Sequence, residues 1–358
     1  VKFIAAEIQS LGVEMPRIVR TNDYWRERYP ELVRMVEQKG KHKVWSPPED
    51  SGARSLFLEE MAPYLDDPFR GTLERRVLGP DETTTGLECG AARKALDAAG
   101  IGPNEIELTL CVSFLGDQVV VGNGAFLARA LGLSGPVWNV ESACAGALAA
   151  FDMASSLVGS GRAERVLVVT SCDYSRCIDE RDVLSWTSGD GAAAFVVGRA
   201  HSDGGILGSH FISTTSTCGA IYFELCELET KQYGVRIQSS ADAGRRLQES
   251  SEECIRRTCA GALSQAGVSV EDIEHFVFAT PTAWYAKFCA RSLGIDPGRC
   301  VNTYPRYANI GPVCWVANLY EHARTQEIRS GDLVLLCAIG SASSAGAIVA
   351  RFGSMALG

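Results

Sequence analysis

Apolar positions along this chain alternate between two rhythms. Short unbroken apolar runs predict buried strands over Glu107–Phe114, Val137–Val140, Arg165–Thr170 and Ala192–Val197, then over Gly205–Ser213, His275–Phe278, Leu333–Cys337 and Ala347–Arg351. Helical spacing predicts helices near Thr83–Ala99, Gly122–Leu131, Ala145–Val158, Ala241–Ala266, Ala286–Leu293 and Pro312–Thr325. Several of these run into a glycine (Gly100, Gly159, Gly267, Gly294), the residue that most easily ends a helix. Helices alternating with apolar strands favour mostly parallel sheets covered by helices, an α/β class. The stretch from Thr21 to Tyr64 differs. It is charged and aromatic, with helical spacing in Trp25-Tyr29-Leu32-Met35, and Ser46-Pro47-Pro48 interrupts it.

The two halves echo each other. Ala91-Ala92-Arg93-Lys94-Ala95-Leu96 leads to the strand at Leu108, as Cys259-Ala260-Gly261-Ala262-Leu263 leads to the strand at Phe276. Gly161-Arg162-Ala163-Glu164-Arg165-Val166-Leu167-Val168 is matched by Ser330-Gly331-Asp332-Leu333-Val334-Leu335-Leu336. Two echoes in one order suggest an internal duplication, with halves at residues 1–203 and 204–358.

Composition narrows the class. With 358 residues, 46% hydrophobic and 22% charged, the chain can bury a substantial core. A net charge of -9 argues against nucleic acid or an anionic membrane as partner. No signal peptide and no apolar run near the length of a membrane span is read, so a cytoplasmic protein is expected. The 13 cysteines are scattered without metal-ligand spacing, which predicts reduced, buried thiols and no metal site. Whatever singles out one cysteine must come from its context.

Cys144 has such a context. Asn139-Val140-Glu141-Ser142-Ala143-Cys144-Ala145-Gly146-Ala147 reads as a strand end, a small-residue turn and a helix start. Unpaired N–H groups and the positive end of a helix dipole favour a thiolate there, which predicts a lowered thiol pKa. The same amides can cradle an oxyanion during acyl transfer. Local chemistry alone leaves two readings: a nucleophile, or a buried cysteine at a tight helix start.

The segment resembles the nucleophile region of β-ketoacyl-ACP synthase III, in the thiolase superfamily. Similar segments follow in the family's order: Arg20-Thr21-Asn22, Glu74-Arg75-Arg76 through Pro80-Asp81-Glu82-Thr83, Ser188-Gly189-Asp190-Gly191-Ala192, Tyr307-Ala308-Asn309-Ile310-Gly311, and the glycine-rich stretch Gly340 to Gly346 before Ala347-Ile348-Val349. The resemblance implies a thiolase-like five-layer αβαβα fold from two duplicated halves, usually a homodimer, with CoA or phosphopantetheine thioesters as substrates and no permanently bound cofactor. It implies Cys144 as the acyl carrier, Asn309 as the catalytic asparagine, and the amides of Cys144 and Ser341 as the oxyanion hole.

The family's histidine is missing. Its place reads Phe278-Ala279-Thr280-Pro281-Thr282, with Ala279 or Thr280 at the imidazole's position. Loss of one oxyanion donor typically costs about 3–4 kcal/mol, a burden on malonyl decarboxylation more than on acyl loading. Of the five histidines (His42, His201, His210, His275, His322), His210 is the best substitute, with Thr280 and Thr282 as further auxiliaries. Arg70, Arg75 and Arg76 are candidates for the donor's phosphates, with a solvated basic stretch as the other reading, and Trp284-Tyr285 for a wall of the pantetheine tunnel, with a place in the core as the other. The expectation is an acyltransferase loading Cys144 from acyl-CoA or an acyl carrier protein and passing the group to an amine, hydroxyl or thiol, in specialised-metabolite biosynthesis by analogy with such relatives. The alternatives are a decarboxylating synthase making a C–C bond with a malonyl thioester, and a non-catalytic partner subunit.

Overall fold

The structure, a computed structural model, describes residues 5–39, 55–118, 120–200, 204–228, 231, 233–326, 328–341 and 343–358. The first half holds strands β1 (Ala6–Glu14), β2 (Ile18–Thr21), β3 (Glu74–Val77), β4 (Leu108–Phe114), β5 (Val137–Asn139), β6 (Arg165–Asp173) and β7 (Asp190–Arg199). Its helices are α1 (Asp23–Arg28), α2 (Pro30–Lys39), α3 (Leu56–Met61), α4 (Thr84–Ala99), α5 (Gly124–Leu131), α6 (Gly146–Gly159) and α7 (Tyr174–Cys177). The second half adds β8 (Gly205–Ser213), β9 (Ile221–Glu227), β10 (Tyr233–Ser239), β11 (His275–Phe278), β12 (Leu333–Ile339), β13 (Ser344–Arg351) and β14 (Ala356–Leu357). With them come α8 (Ala243–Ala266), α9 (Tyr285–Leu293), α10 (Tyr304–Tyr307) and α11 (Cys314–Gln326).

The duplication is legible strand by strand. The first large sheet runs β14-β1-β7-β6-β4-β5 and the second β11-β12-β13-β8. β1–β7 and β7–β6 are antiparallel and β6–β4 parallel. β8–β13 and β13–β12 are likewise antiparallel, and β12–β11 parallel. A parallel bridge from Phe276 to Cys300 stands where β4 meets β5 in the first half. Helices α6 and α11 lie between the sheets, while α4 and α8 cover the outer faces, giving the five layers. The expected excess of parallel pairing holds in the first large sheet, where three of five pairings are parallel, and is corrected in the second, where two of three are antiparallel. Runs such as Val166–Val169 are apolar because helices cover both faces, and that holds whatever the strand direction. The pairs β2–β3 and β9–β10 escaped the sequence reading: β2, β9 and β10 carry at most one buried position each, and β3 buries the charged Arg75. The division at 203/204 falls between β7 and β8, although β14 returns to the first sheet beside β1. Residues Ser46-Pro47-Pro48, His42 and His201 lie outside the described residues. Among the described residues no helix is long and apolar enough to cross a membrane.

At the far end of the second sheet, helix α11 buries His322 completely. His322 Nε2 lies 2.7 Å from His275 Nδ1, and His275 Nε2 lies 3.0 Å from Asp332 Oδ2. A neutral pair fits. His275 donates to Asp332, His322 donates to His275, and the bare Nδ1 of His322 needs no partner, as observed. Burial, aided by the neighbouring His275, holds the His322 pKa down at about 4. The folded state therefore binds fewer protons than the unfolded state between that value and the ordinary imidazole pKa of about 6.5. Stability is present above the unfolded pKa and is lost as pH falls through the window. Denaturant unfolding should show wild type losing on the order of 3 kcal/mol between pH 7 and 4. His322→Asn should lose clearly less, so the gap between the two proteins narrows on acidification.

Candidate active site

The chain leaves β5 at Asn139, turns through Glu141 and Ser142, makes one 3₁₀ turn over Ala143–Ala145 and enters α6. Ala143 has φ +47°, a left-handed conformation that costs a non-glycine residue about 1 kcal/mol or more. Its amide donates to Glu141 Oε1 at 2.6 Å. The loop after β12 clamps the turn from the other side. Ser142 Oγ meets Ser344 Oγ at 2.6 Å and Ser343 Oγ at 3.0 Å. Gly340 makes this close approach feasible, because a Cβ there would lie 2.8 Å from the Ser142 carbonyl oxygen. Its amide is taken by Ser344 O at 2.8 Å, and Ser341 beside it lines the cavity. Ala342 lies outside the described residues.

Asn309 approaches from the second half. It follows Ala308, whose φ of +57° and ψ of -158° lie in territory normally reserved for glycine. Its amide donates to Thr187 O at 3.0 Å, and its carbonyl accepts from Gly189 N at 2.9 Å. Glycine is required at 189, where a Cβ would stand 2.3 Å from Tyr307 O. Asn309 Oδ1 accepts from Gly311 N at 2.9 Å, which fixes the amide and leaves Nδ2 as the donor available to a substrate oxygen. Asp190, in the glycine-aspartate-glycine turn, is an internal brace: it accepts from Leu78 N at 2.8 Å and Ser175 N at 2.9 Å.

Cys144, Asn309 and Ser341 open on one cavity of about 580 Å³. Its walls are chiefly apolar, with Phe57 of α3, Phe114, Ile178, Leu184, Phe223 and Leu247 prominent. A small recess deeper in holds Cys144, Ala279, Tyr285, Asn309, Cys314 and Ile339. The thiol is not ionised at rest. Burial pushes its pKa up to about 11 and Glu141 adds to the rise, against a hydrogen bond from Tyr174 and one from its own amide. The expected lowering is thus corrected: desolvation outweighs the amides at the turn.

The remaining expectations divide. Ala279, one of the two residues expected where the family has its histidine, lines the recess. Thr280 turns away, is buried, and accepts from Asn318 Nδ2 at 3.0 Å. Thr282 is fully buried and outside both cavity linings. His210 packs against Gly261 of α8, where a Cβ would meet its ring at 2.3 Å, so it cannot substitute. Arg70 and Arg75 are corrected as phosphate ligands, being 1% and 0% exposed. Arg70 donates to main-chain oxygens of Tyr64 and Asp67. Arg75 donates to Trp186 O, Arg20 O and Asn22 Oδ1 and stacks over Trp25. Tyr285 lines the cavity, whereas Trp284 is buried against Phe57 and Tyr64. Sequence reasoning missed Asn318. This buried side chain donates to Phe278 O at 2.7 Å and accepts from Thr303 N at 2.9 Å, tying the Ala279 strand end to the helix before Asn309. It also passed over Glu141 and Tyr174, whose neighbourhood to Cys144 needs the folded turn.

Comparison with known proteins follows this geometry. Residues 138–215 match the family model of 3-oxoacyl-[acyl-carrier-protein (ACP)] synthase III, and residues 263–352 match that of its C-terminal part. The chain is 30% identical over 287 residues to the β-ketoacyl-[acyl-carrier-protein] synthase III of Erythrobacter litoralis, covering 79% of this chain and 88% of that one. It is 28% identical over 290 residues to the Brucella anthropi enzyme of the same name, with the same coverage. Among solved structures it resembles OleA of Xanthomonas campestris (TM-score 0.79, 21% identity, 98% of this chain and 97% of that one). It also resembles the priming β-ketosynthase of the R1128 polyketide pathway (TM-score 0.79, 21% identity, 99% and 98%). At these identities the likenesses to solved structures establish the thiolase-like fold.

Proposed function

We propose, from the premise that this chain belongs to the 3-oxoacyl-[acyl-carrier-protein] synthase III family, that it is a non-decarboxylating acyltransferase working through Cys144. The Cys144 sulfur attacks the carbonyl carbon of an acyl-CoA or acyl-carrier thioester, and the donor thiol leaves. The oxyanion of the tetrahedral adduct rests on the amides of Cys144 and Ser341. An amine, hydroxyl or thiol acceptor then takes the acyl group, with Asn309 Nδ2 holding the acceptor or its carbonyl. The apolar cavity supports an apolar acyl group of medium length or an aromatic one. The exposed edge strand β5, carrying Trp138 at 43% exposure, supports pairing with a second copy of the chain.

The observation that carries this reading is Ala279 on the wall of the Cys144 recess. Malonyl decarboxylation develops charge on a thioester oxygen that Asn309 alone would hold, and one lost donor costs about 3–4 kcal/mol. A decarboxylating synthase is the second reading. The retained Asn309 and the relatives' own names favour it. The chain should gain acyl mass from acyl thioesters while releasing CO2 from malonyl thioesters no faster than its Asn309→Ala variant. Rapid CO2 release that depends on Asn309 would overturn the proposal. A non-catalytic partner subunit would gain no acyl mass at all.

A further inference from the structure

We infer that Glu141 is the general base that takes the Cys144 proton, and that the Tyr174 hydroxyl holds the resulting sulfur anion. The inference rests on the proposal that Cys144 carries the acyl group.

A thiol with a pKa of about 11 is ionised in only about one molecule in ten thousand at pH 7, too few for efficient attack without a local base. The titratable groups facing it can be counted. The cavity presents Glu141, Tyr174, Cys218, Tyr222 and Tyr285. Cys172 and Cys314 stand on its other sides, each with a thiol pushed upward by burial. Among the described lining residues Glu141 is the carboxylate, and it is the one whose charge acts on the Cys144 sulfur. It stands three positions before Cys144 on the same tight turn. Its Oε1 is pinned by Ala143 N at 2.6 Å, so Oε2 is the oxygen left to receive a proton, directly or through one water. Burial holds this carboxyl above the usual carboxylate range, which suits a base that must later return its proton.

Tyr174 supplies the second part. It opens α7 and is buried, with its ring edge-on to Phe114 at 5.6 Å, and Phe114 in turn meets Phe223 at 5.2 Å. It lines the same cavity as Cys144, and its hydroxyl lies near enough to favour the charged sulfur. Burial raises its own pKa well above the ordinary value, so it donates a hydrogen bond and keeps its proton.

The step balances without a redox partner. The Cys144 S–H proton passes to Glu141, and sulfur attacks the thioester carbon. The bond from that carbon to the donor sulfur breaks, and the Glu141 proton passes to the departing thiolate. The products are acyl-Cys144 and a free CoA or pantetheine thiol.

The test is the pH dependence of acyl-mass gain on Cys144 from a medium-chain acyl-CoA. Wild type, Glu141→Gln, Glu141→Asp and Tyr174→Phe are compared by intact mass, with thermal melts as a check of folding. Wild-type rates should level off once Glu141 ionises. Glu141→Gln should be about 10²–10³-fold slower at pH 7 and climb about tenfold per pH unit to pH 9, because only hydroxide then makes the thiolate. Glu141→Asp should be slower with a wild-type profile, and Tyr174→Phe should shift iodoacetamide alkylation of Cys144 to higher pH. A folded Glu141→Gln variant within threefold of wild type, with an unchanged profile, overturns the inference alone. Wild type that gains no mass on Cys144 overturns the acyl-carrier proposal and this inference with it.

Discussion

Cys144→Ala gains no acyl mass from any thioester donor, and its acyl transfer falls by three orders of magnitude or more. The expectation follows from where the thirteen cysteines stand. Cys172, Cys289 and Cys337 are buried, and Cys314, which shares the recess, is buried with its thiol turned to Asn309 Oδ1 at 3.7 Å. Cys218 is exposed and lines the same cavity, so it is the real competitor. It sits on a loop, without the turn of backbone amides that flanks Cys144, and nothing there would quiet the tetrahedral adduct. Removing a nucleophile that acts with an oxyanion hole typically leaves only the residual rate enhancement from binding and that hole. Peptide mapping of the acylated protein should therefore find the label on the Glu141–Ala147 stretch. Cys218→Ala should load at the wild-type rate. Label on Cys218 instead, or full activity in Cys144→Ala, removes the covalent step.

How much of this site could be read before folding depends on how local each signal is. The Cys144 turn was legible because a strand end, small residues and a helix start adjoin in sequence. Asn309 was legible only through its setting in a family-like segment, and its amide orientation required the Gly311 contact. The duplication appeared as two short echoes, and matched strand orders in both sheets bear it out. The arginines misled because charge in a sequence suggests solvent. Arg70 and Arg75 instead close over buried carbonyls, a role that depends on partners as distant as Trp186. The thiol pKa misled because helix-start amides are local whereas desolvation comes from every element packed around the sulfur. Tyr174 and Glu141 belong to the same lesson. Thirty residues separate Tyr174 from Cys144, and only the crossing of β6 and α6 beside the cavity brings them together.

Ala279→His should raise malonyl-thioester decarboxylation by about 10²–10³-fold, equivalent to the roughly 3–4 kcal/mol that one oxyanion donor contributes. Ala279 directly follows β11, with its amide bonded to Cys337 O at 2.9 Å, so its position is set by the sheet rather than by a movable loop. It faces the recess shared with Cys144 and Asn309. An imidazole there would complete a pair of donors around one thioester oxygen, Asn309 Nδ2 being the other. Room is the opposing term. The recess has about 20 Å³ of free space, and Tyr285 and Ile339 close it. Overpacking of this kind costs about 1–3 kcal/mol of stability, so the single variant should melt earlier than wild type. Adding Ile339→Ala should restore the melting temperature while keeping the gain in CO2 release. The gain must also vanish in Ala279→His/Asn309→Ala, because a lone imidazole reproduces only half of the hole. If the Ala279→His/Ile339→Ala variant folds, takes acyl groups on Cys144 and still releases CO2 no faster than wild type, the barrier lies outside this recess, and Ala279 is not what keeps the chain from decarboxylation.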